Sequence, residues 1–251
     1  MMVLNSESGN SYYTPICSES GDILRQQQGV SRLDQTIGNE YVEEQHLMLA
    51  QDLDATEKLK AFELSNYDLI EQFHLGYADN SFLRRYSRYR GEDLTPISAS
   101  LGRLGLLDST KQEVLEGCMI FPLYNGIYYI PVGVYGYWLE PKEGVESDLL
   151  RLWNQDAVGV FNLDAFNAFS DLIVCQNPVI ACQLIERGHE NVIAAMGNGD
   201  TVEQFRQLFK HMPTQSIRII SNGDRYGQYW ADQITEAMRL LNIDCAFYFN
   251  A

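Results

Sequence analysis

Positive charge is what this sequence has least of. Eighteen Lys and Arg stand against 34 Asp and Glu, a formal net charge of −16 over 251 residues. Proteins that grip nucleic acid neutralise phosphates with a basic face. A balance this acidic disfavours unaided binding to a polyanion unless the cations gather on one surface. Long apolar runs are also missing: no stretch approaches the ~18 uninterrupted apolar residues of a membrane-spanning helix. The opening MMVLNSESGNSYYT has neither a basic flank nor an apolar core, so no secretory signal is expected and the cytoplasm is the expected compartment. The cysteines (Cys17, Cys118, Cys175, Cys182 and Cys245) are odd in number and scattered. Without a Cys-x-x-Cys or a Cys/His cluster, neither a zinc site nor a disulfide framework is indicated. A GxGxxG fingerprint and a P-loop are absent too, which removes the common dinucleotide and nucleoside-triphosphate cradles.

What is present is an ordinary globular composition, 45% hydrophobic and 21% charged, long enough to bury a real core. Three regions can be drawn. Residues 1–54 are polar and acidic; SESGNSYYT and SESGD read as a flexible end, and VEEQHLMLAQDL as a helix. Residues 55–169 open with the amphipathic TEKLKAFEL and continue into YDLIEQFHLGY. There Ser65 is expected to cap a helix, with Asp68 as the capping-box acid and Gly76 as the stop. EGCMIFPLYNGIYYIPVGVYGYWLEP follows, two β-rich runs about Asn125-Gly126, a strong hairpin signal. Its aromatics Tyr128, Tyr129, Tyr135, Tyr137 and Trp138 suit cross-strand packing, with some available to a partner.

Residues 170–251 alternate strand and helix: DLIVC, NPVIACQLIERGH, NVIAAM, TVEQFRQLFKHM, SIRII, YGQYWADQITEAMRLLN and DCAFYF. Asn177 is the expected cap and Pro178 the first residue of the first of these helices, with Gly188 as its stop. Such alternation predicts a parallel sheet covered by helices, with ligands at the carboxyl ends of strands. Three turns stand there: Gln176, Gly197-Asn198-Gly199 and Asn222-Gly223-Asp224. The glycine turn could cradle a phosphate at a helix start, but Asp200 beside it repels an anion. Asp224 has a simple structural use, capping the helix after it.

These residues carry a resemblance. KAFELSNYDLIEQFHLGYAD, the Phe-Pro hairpin EGCMIFPLYNGIYYIPVGVYG, the strand and turn GHENVIAAMGNG, and NGDRYG resemble, in order and rough spacing, landmarks of the bacterial replicative-primase core with its Toprim domain. The resemblance covers about residues 55–251. It implies an α/β fold: a Toprim-like parallel sheet flanked by helices, preceded by a mixed α+β primase-core-like subdomain. In an active member, a Glu closing the first strand and an acid-x-acid pair closing the third hold Mg²⁺ or Mn²⁺ for phosphoryl transfer. Here those positions resemble Gln176, Asn222 and Asp224. Two unit charges 4 Å apart at an effective dielectric of 20 are worth roughly 4 kcal/mol, so losing two carboxylates costs orders of magnitude in cation affinity.

Other family features depart as well. Glu116-Gly117-Cys118 stands where basic side chains are expected, no zinc module is legible, and FYFNA stands where a further acidic patch would follow. The resemblance therefore implies a degenerate form with no metal cofactor, acting by binding as an accessory or regulatory factor in DNA replication or a mobile-element process. Its expected partner is a protein, such as a basic replication or mobile-element protein, and no membrane. The alternative is a divergent metal-dependent primase or Toprim nuclease that uses Asp224 with Mg²⁺ or Mn²⁺, completed by a partner subunit. One dense basic stretch, Arg84, Arg85, Arg88 and Arg90 interleaved with Tyr86 and Tyr89, suits single-stranded DNA; the plainer reading is a solvated helix face that pairs with the protein's own acids.

Overall fold

Ser31 starts the first helix, α1 (Arg32–Gln51), by accepting from the Asp34 amide at 3.1 Å. The structure is a computed structural model and describes residues 30–60, 64, 67–90, 93–125, 128–140, 148–154, 157–198 and 201–250. The flexible opening expected within residues 1–29 and the Ser65 cap lie outside the described residues. The helix expected at VEEQHLMLAQDL is the second half of α1. Its buried face mixes Ile37, Tyr41 and Leu49 with Gln35, Gln45 and His46, which dilutes the apolar period that would have announced its start.

Two short helices follow, α2 (Leu53–Lys60) and α3 (Tyr67–Gln72). Gly76 does not stop α3, contrary to the expectation from sequence. The chain leaves the helix through His74, which takes the left-handed conformation (φ 54°), and Gly76 instead opens β1 (Gly76–Tyr77). A Cβ on Gly76 would stand 2.7 Å from the Gln45 carbonyl carbon and 2.9 Å from the His46 nitrogen. The glycine is there so that β1 can touch the backbone of α1.

The next helix, α4 (Phe82–Arg90), has no acid in its first turn. Its cap comes from far along the chain: buried Glu113 accepts from the Phe82 amide at 2.8 Å, and also from Gln45 Nε2 at 3.0 Å and the Tyr41 hydroxyl at 3.2 Å. Burial pushes the Glu113 carboxyl up, against the pull of the Phe82 bond. Phe82 and Tyr86, one turn apart, pack inward, with the Phe82 ring 5.3 Å from Tyr41 and 5.6 Å from Tyr86. Then comes α5 (Thr95–Arg103).

Among the described residues one nine-stranded sheet organises everything else. β2 (Cys118–Asn125) and β3 (Tyr128–Trp138) form the expected antiparallel hairpin; Asn125 still pairs with Tyr128, and Gly126 lies outside the described residues. β4 (Asp148–Leu152) adds to β3, and β5 (Val158–Phe161) runs antiparallel to β2. α6 (Leu163–Ala168), β6 (Asp171–Cys175), α7 (Pro178–Glu186), β7 (Val192–Gly197), α8 (Val202–Phe209), β8 (Ser216–Asn222), α9 (Arg225–Leu241) and β9 (Asp244–Asn250) complete the chain. The order is β4-β3-β2-β5-β7-β6-β8-β9, with β1 beside β2.

β6, β7, β8 and β9 are mutually parallel where they pair, as strand–helix alternation predicts. β5 joins antiparallel to β7 and links this part to the hairpin, so one sheet takes strands from both sides of the boundary drawn at residues 169 and 170. One face packs Ile173 and Cys175 against Val179, Ala181 and Cys182 of α7. The other packs Val174, Ile217 and Ile219 against Phe205 and Phe209 of α8 and Trp230, Ile234 and Met238 of α9. A third cluster, with Tyr41, Phe82, Ile120 and Trp153, lies under α1, α4 and α5. Among the described residues no helix is long and apolar enough to cross a membrane.

Candidate functional site

The parallel strands end side by side, and the sequence's candidate positions lie at those ends. β6 ends at Cys175; Gln176 follows, 8% exposed, and its amide donates to the Ile220 carbonyl of β8 at 3.1 Å. The Gln176 side chain then reaches the end of β8, where Oε1 accepts from the Asn222 amide at 2.9 Å. The turn Asn222-Gly223-Asp224 leads straight into α9. Asp224 is the N-cap: its Oδ1 accepts from the Gly227 amide at 2.6 Å. A Cβ on Gly227 would run into the Asn222 carbonyl oxygen and sit 2.8 Å from Gln176 Oε1, so only glycine lets α9 start this close to the strand ends.

Gln176, Asn222 and Asp224 are therefore brought together, and two of the three use a side-chain oxygen to hold the protein itself. Together they offer one carboxylate, already bonded to an amide. A divalent cation of the Mg²⁺ kind wants several hard, charged oxygens. Among the described residues no group of three or more His, Cys, Asp and Glu side chains could hold a metal ion. The residues at this site do not fit the cation that the resemblance places there.

One of the hairpin aromatics expected to pack or to meet a partner, Tyr135 on β3, is buried and also makes a polar contact. Tyr135, 4% exposed, donates its hydroxyl to Asp148 on β4. Burial pushes its hydroxyl well above the ordinary range, with Asp148, Tyr137 and Tyr226 of α9 adding to the rise. Tyr226 and Tyr229 of α9 are exposed. Trp138 is buried, Tyr129 is exposed, and the Tyr128 side chain lies outside the described residues.

The glycine turn after β7 is described only through Asn198; Gly199 and Asp200 lie outside the described residues. A Cβ on Gly197 would stand 2.7 Å from Thr201 Cγ2, so this glycine serves close packing. Cys175 is fully buried and its thiol is pushed up by desolvation, as suits a core residue.

The arginine segment forms α4, whose Phe82 and Tyr86 pack in the cluster with Tyr41 of α1. Arg84 is exposed. Arg85 is turned inward: its Nη1 pairs with Asp79 at 2.9 Å and its Nε lies 3.4 Å from Glu44. Tyr86 belongs to the core. The side chains of Arg88, Tyr89 and Arg90 lie outside the described residues.

Sheet order, hairpin and helix placement together define the architecture of a bacterial primase catalytic core, with a Toprim-like sheet at its carboxyl end. The chain is similar to a DnaG primase catalytic domain solved with single-stranded DNA (TM-score 0.69, 17% identity, 90% of this chain and 75% of that one). It is also similar to the E. coli primase catalytic core (TM-score 0.66, 18% identity, 86% and 72%) and to a DNA primase domain from Pseudomonas aeruginosa (0.66, 18%, 87% and 71%). No family model and no curated protein sequence matches the chain.

Proposed function

We propose that this chain is a primase-fold protein that acts by binding, as an accessory or regulatory factor in DNA replication or a mobile-element process. The observation that carries the reading is the chemistry at the strand ends. In a fold shared with primase catalytic cores, Gln176 is bonded to Asn222 and Asp224 caps α9, which leaves one carboxylate where phosphoryl transfer by a bound cation needs several. The formal charge of −16 supports a protein partner with a basic surface over a bare nucleic acid. Of the arginines whose side chains are described on α4, Arg85 is engaged with Asp79 and Glu44, which weakens the case for a single-stranded DNA track.

Primer synthesis on single-stranded template and nicking of supercoiled DNA, each with Mg²⁺ and with Mn²⁺, test this reading. The expected result is no activity above that of the Asp224→Asn variant, together with salt-sensitive co-purification of a polymerase, helicase or primase subunit. Metal-dependent synthesis or nicking that Asp224→Asn abolishes would establish instead the divergent primase or Toprim nuclease.

A further inference from the structure

The turn at the strand ends is closed by side-chain contacts that need no ion. Gln176 Oε1, almost buried, accepts from the Asn222 amide at 2.9 Å; Asp224 Oδ1 accepts from the Gly227 amide at 2.6 Å; and Gly227 sits against both the Asn222 carbonyl oxygen and Gln176 Oε1. Three backbone segments meet at the Gln176 carboxamide: the end of β6, the end of β8 and the first turn of α9. We infer that Gln176 is a built-in clasp, holding this turn in the place of the cation that a carboxylate-lined version would need, so that the fold is complete without metal. Gln176 is on this account a positioning residue.

Charge favours a carboxamide at this position. A carboxamide can lie almost buried and still accept the Asn222 amide, because it carries no charge to desolvate. A carboxylate in the same place, with a second at 222 and Asp224 beyond, would put like charges together at the edge of the core. Those charges would need a cation. The clasp rests on these contacts alone and not on the binding role, so either can fail without the other.

The test uses the full chain in EDTA and with Mn²⁺. Gln176→Leu removes the acceptor; the Asn222 amide should then exchange with solvent about tenfold faster or more, the ratio expected for one lost buried hydrogen bond. The melting temperature of wild type should be the same in EDTA and in Mn²⁺. The pair Gln176→Glu and Asn222→Asp should melt lower in EDTA, by about 5 °C or more, and Mn²⁺ should restore it. Unchanged Asn222 exchange in Gln176→Leu overturns the clasp, and so does a wild type that itself needs Mn²⁺ to reach its full melting temperature. If the double variant does not fold, wild type decides alone: its Asn222 amide must be equally protected in EDTA and in Mn²⁺, and protection only with Mn²⁺ contradicts the inference.

Discussion

Asp34 and Arg103 join the start of α1 to the end of α5. Arg103 grips the carboxylate with Nη2 at 2.6 Å and Nε at 3.1 and 3.2 Å, and Asp34 is almost buried while Arg103 is half exposed. The guanidinium bonds hold the Asp34 carboxyl at about 2, below its ordinary 3.8, against the desolvation that raises it. A depressed carboxylate contributes stability that is present above its unfolded value and lost as pH falls through its folded value. Asp34→Asn should therefore destabilise the protein by about 1–2 kcal/mol above pH 4.5, a figure reduced for the exposure of Arg103. The gap between variant and wild type should close between about pH 4 and pH 2, as chemical denaturation at a series of pH values will show. At this same scale Asp224 was legible: an Asn-Gly-Asp turn before a helix announces a cap. The bond from Gln176 to Asn222 was not, because it spans 46 positions and depends on two strands lying side by side.

Elements were legible wherever one local signal sufficed. Asn177 and Pro178 start α7 as their chemistry dictates, with the Ile180 amide donating to Asn177 Oδ1 at 3.0 Å, and Gly188 takes φ 92° after it. The two runs about Asn125-Gly126 pair as a hairpin. Signals shared between elements could not be read. α4 is capped by Glu113, whose place becomes visible only when α1 and the loop before β2 have packed. Gly76 looked like a helix stop and proved to be a contact point between β1 and α1. Gly76→Ala should cost about 1–3 kcal/mol, the usual range for forcing a methyl into a filled space, and lower the melting temperature by about 3–10 °C. Gly102→Ala, where an added Cβ meets nothing within 4 Å, is the control and should stabilise by about 0.5 kcal/mol. A Gly76→Ala protein as stable as wild type would mean that the close approach is not needed.

For the molecule as a whole, the sheet type was readable and its joining was not. Strand–helix alternation gave the parallel strands β6 to β9, but nothing in the residues marked β5 as the strand that ties them, antiparallel, to the hairpin. Four short VGVF residues buried on both sides look the same in a helix or a strand. The acidic balance and the amide-lined turn belong together at this scale. The acidic balance disfavours phosphate, and the amide-lined turn lacks the charge that a bridging cation needs. We propose that the strand ends hold no catalytic cation. Titration of Mn²⁺ into the full chain, followed by the paramagnetic resonance of the free ion, tests it directly against Asp224→Asn, which keeps the helix cap. The account predicts superimposable curves for the two proteins, with only weak binding to surface acids. One tightly bound Mn²⁺ per wild-type chain, absent from Asp224→Asn, would contradict it.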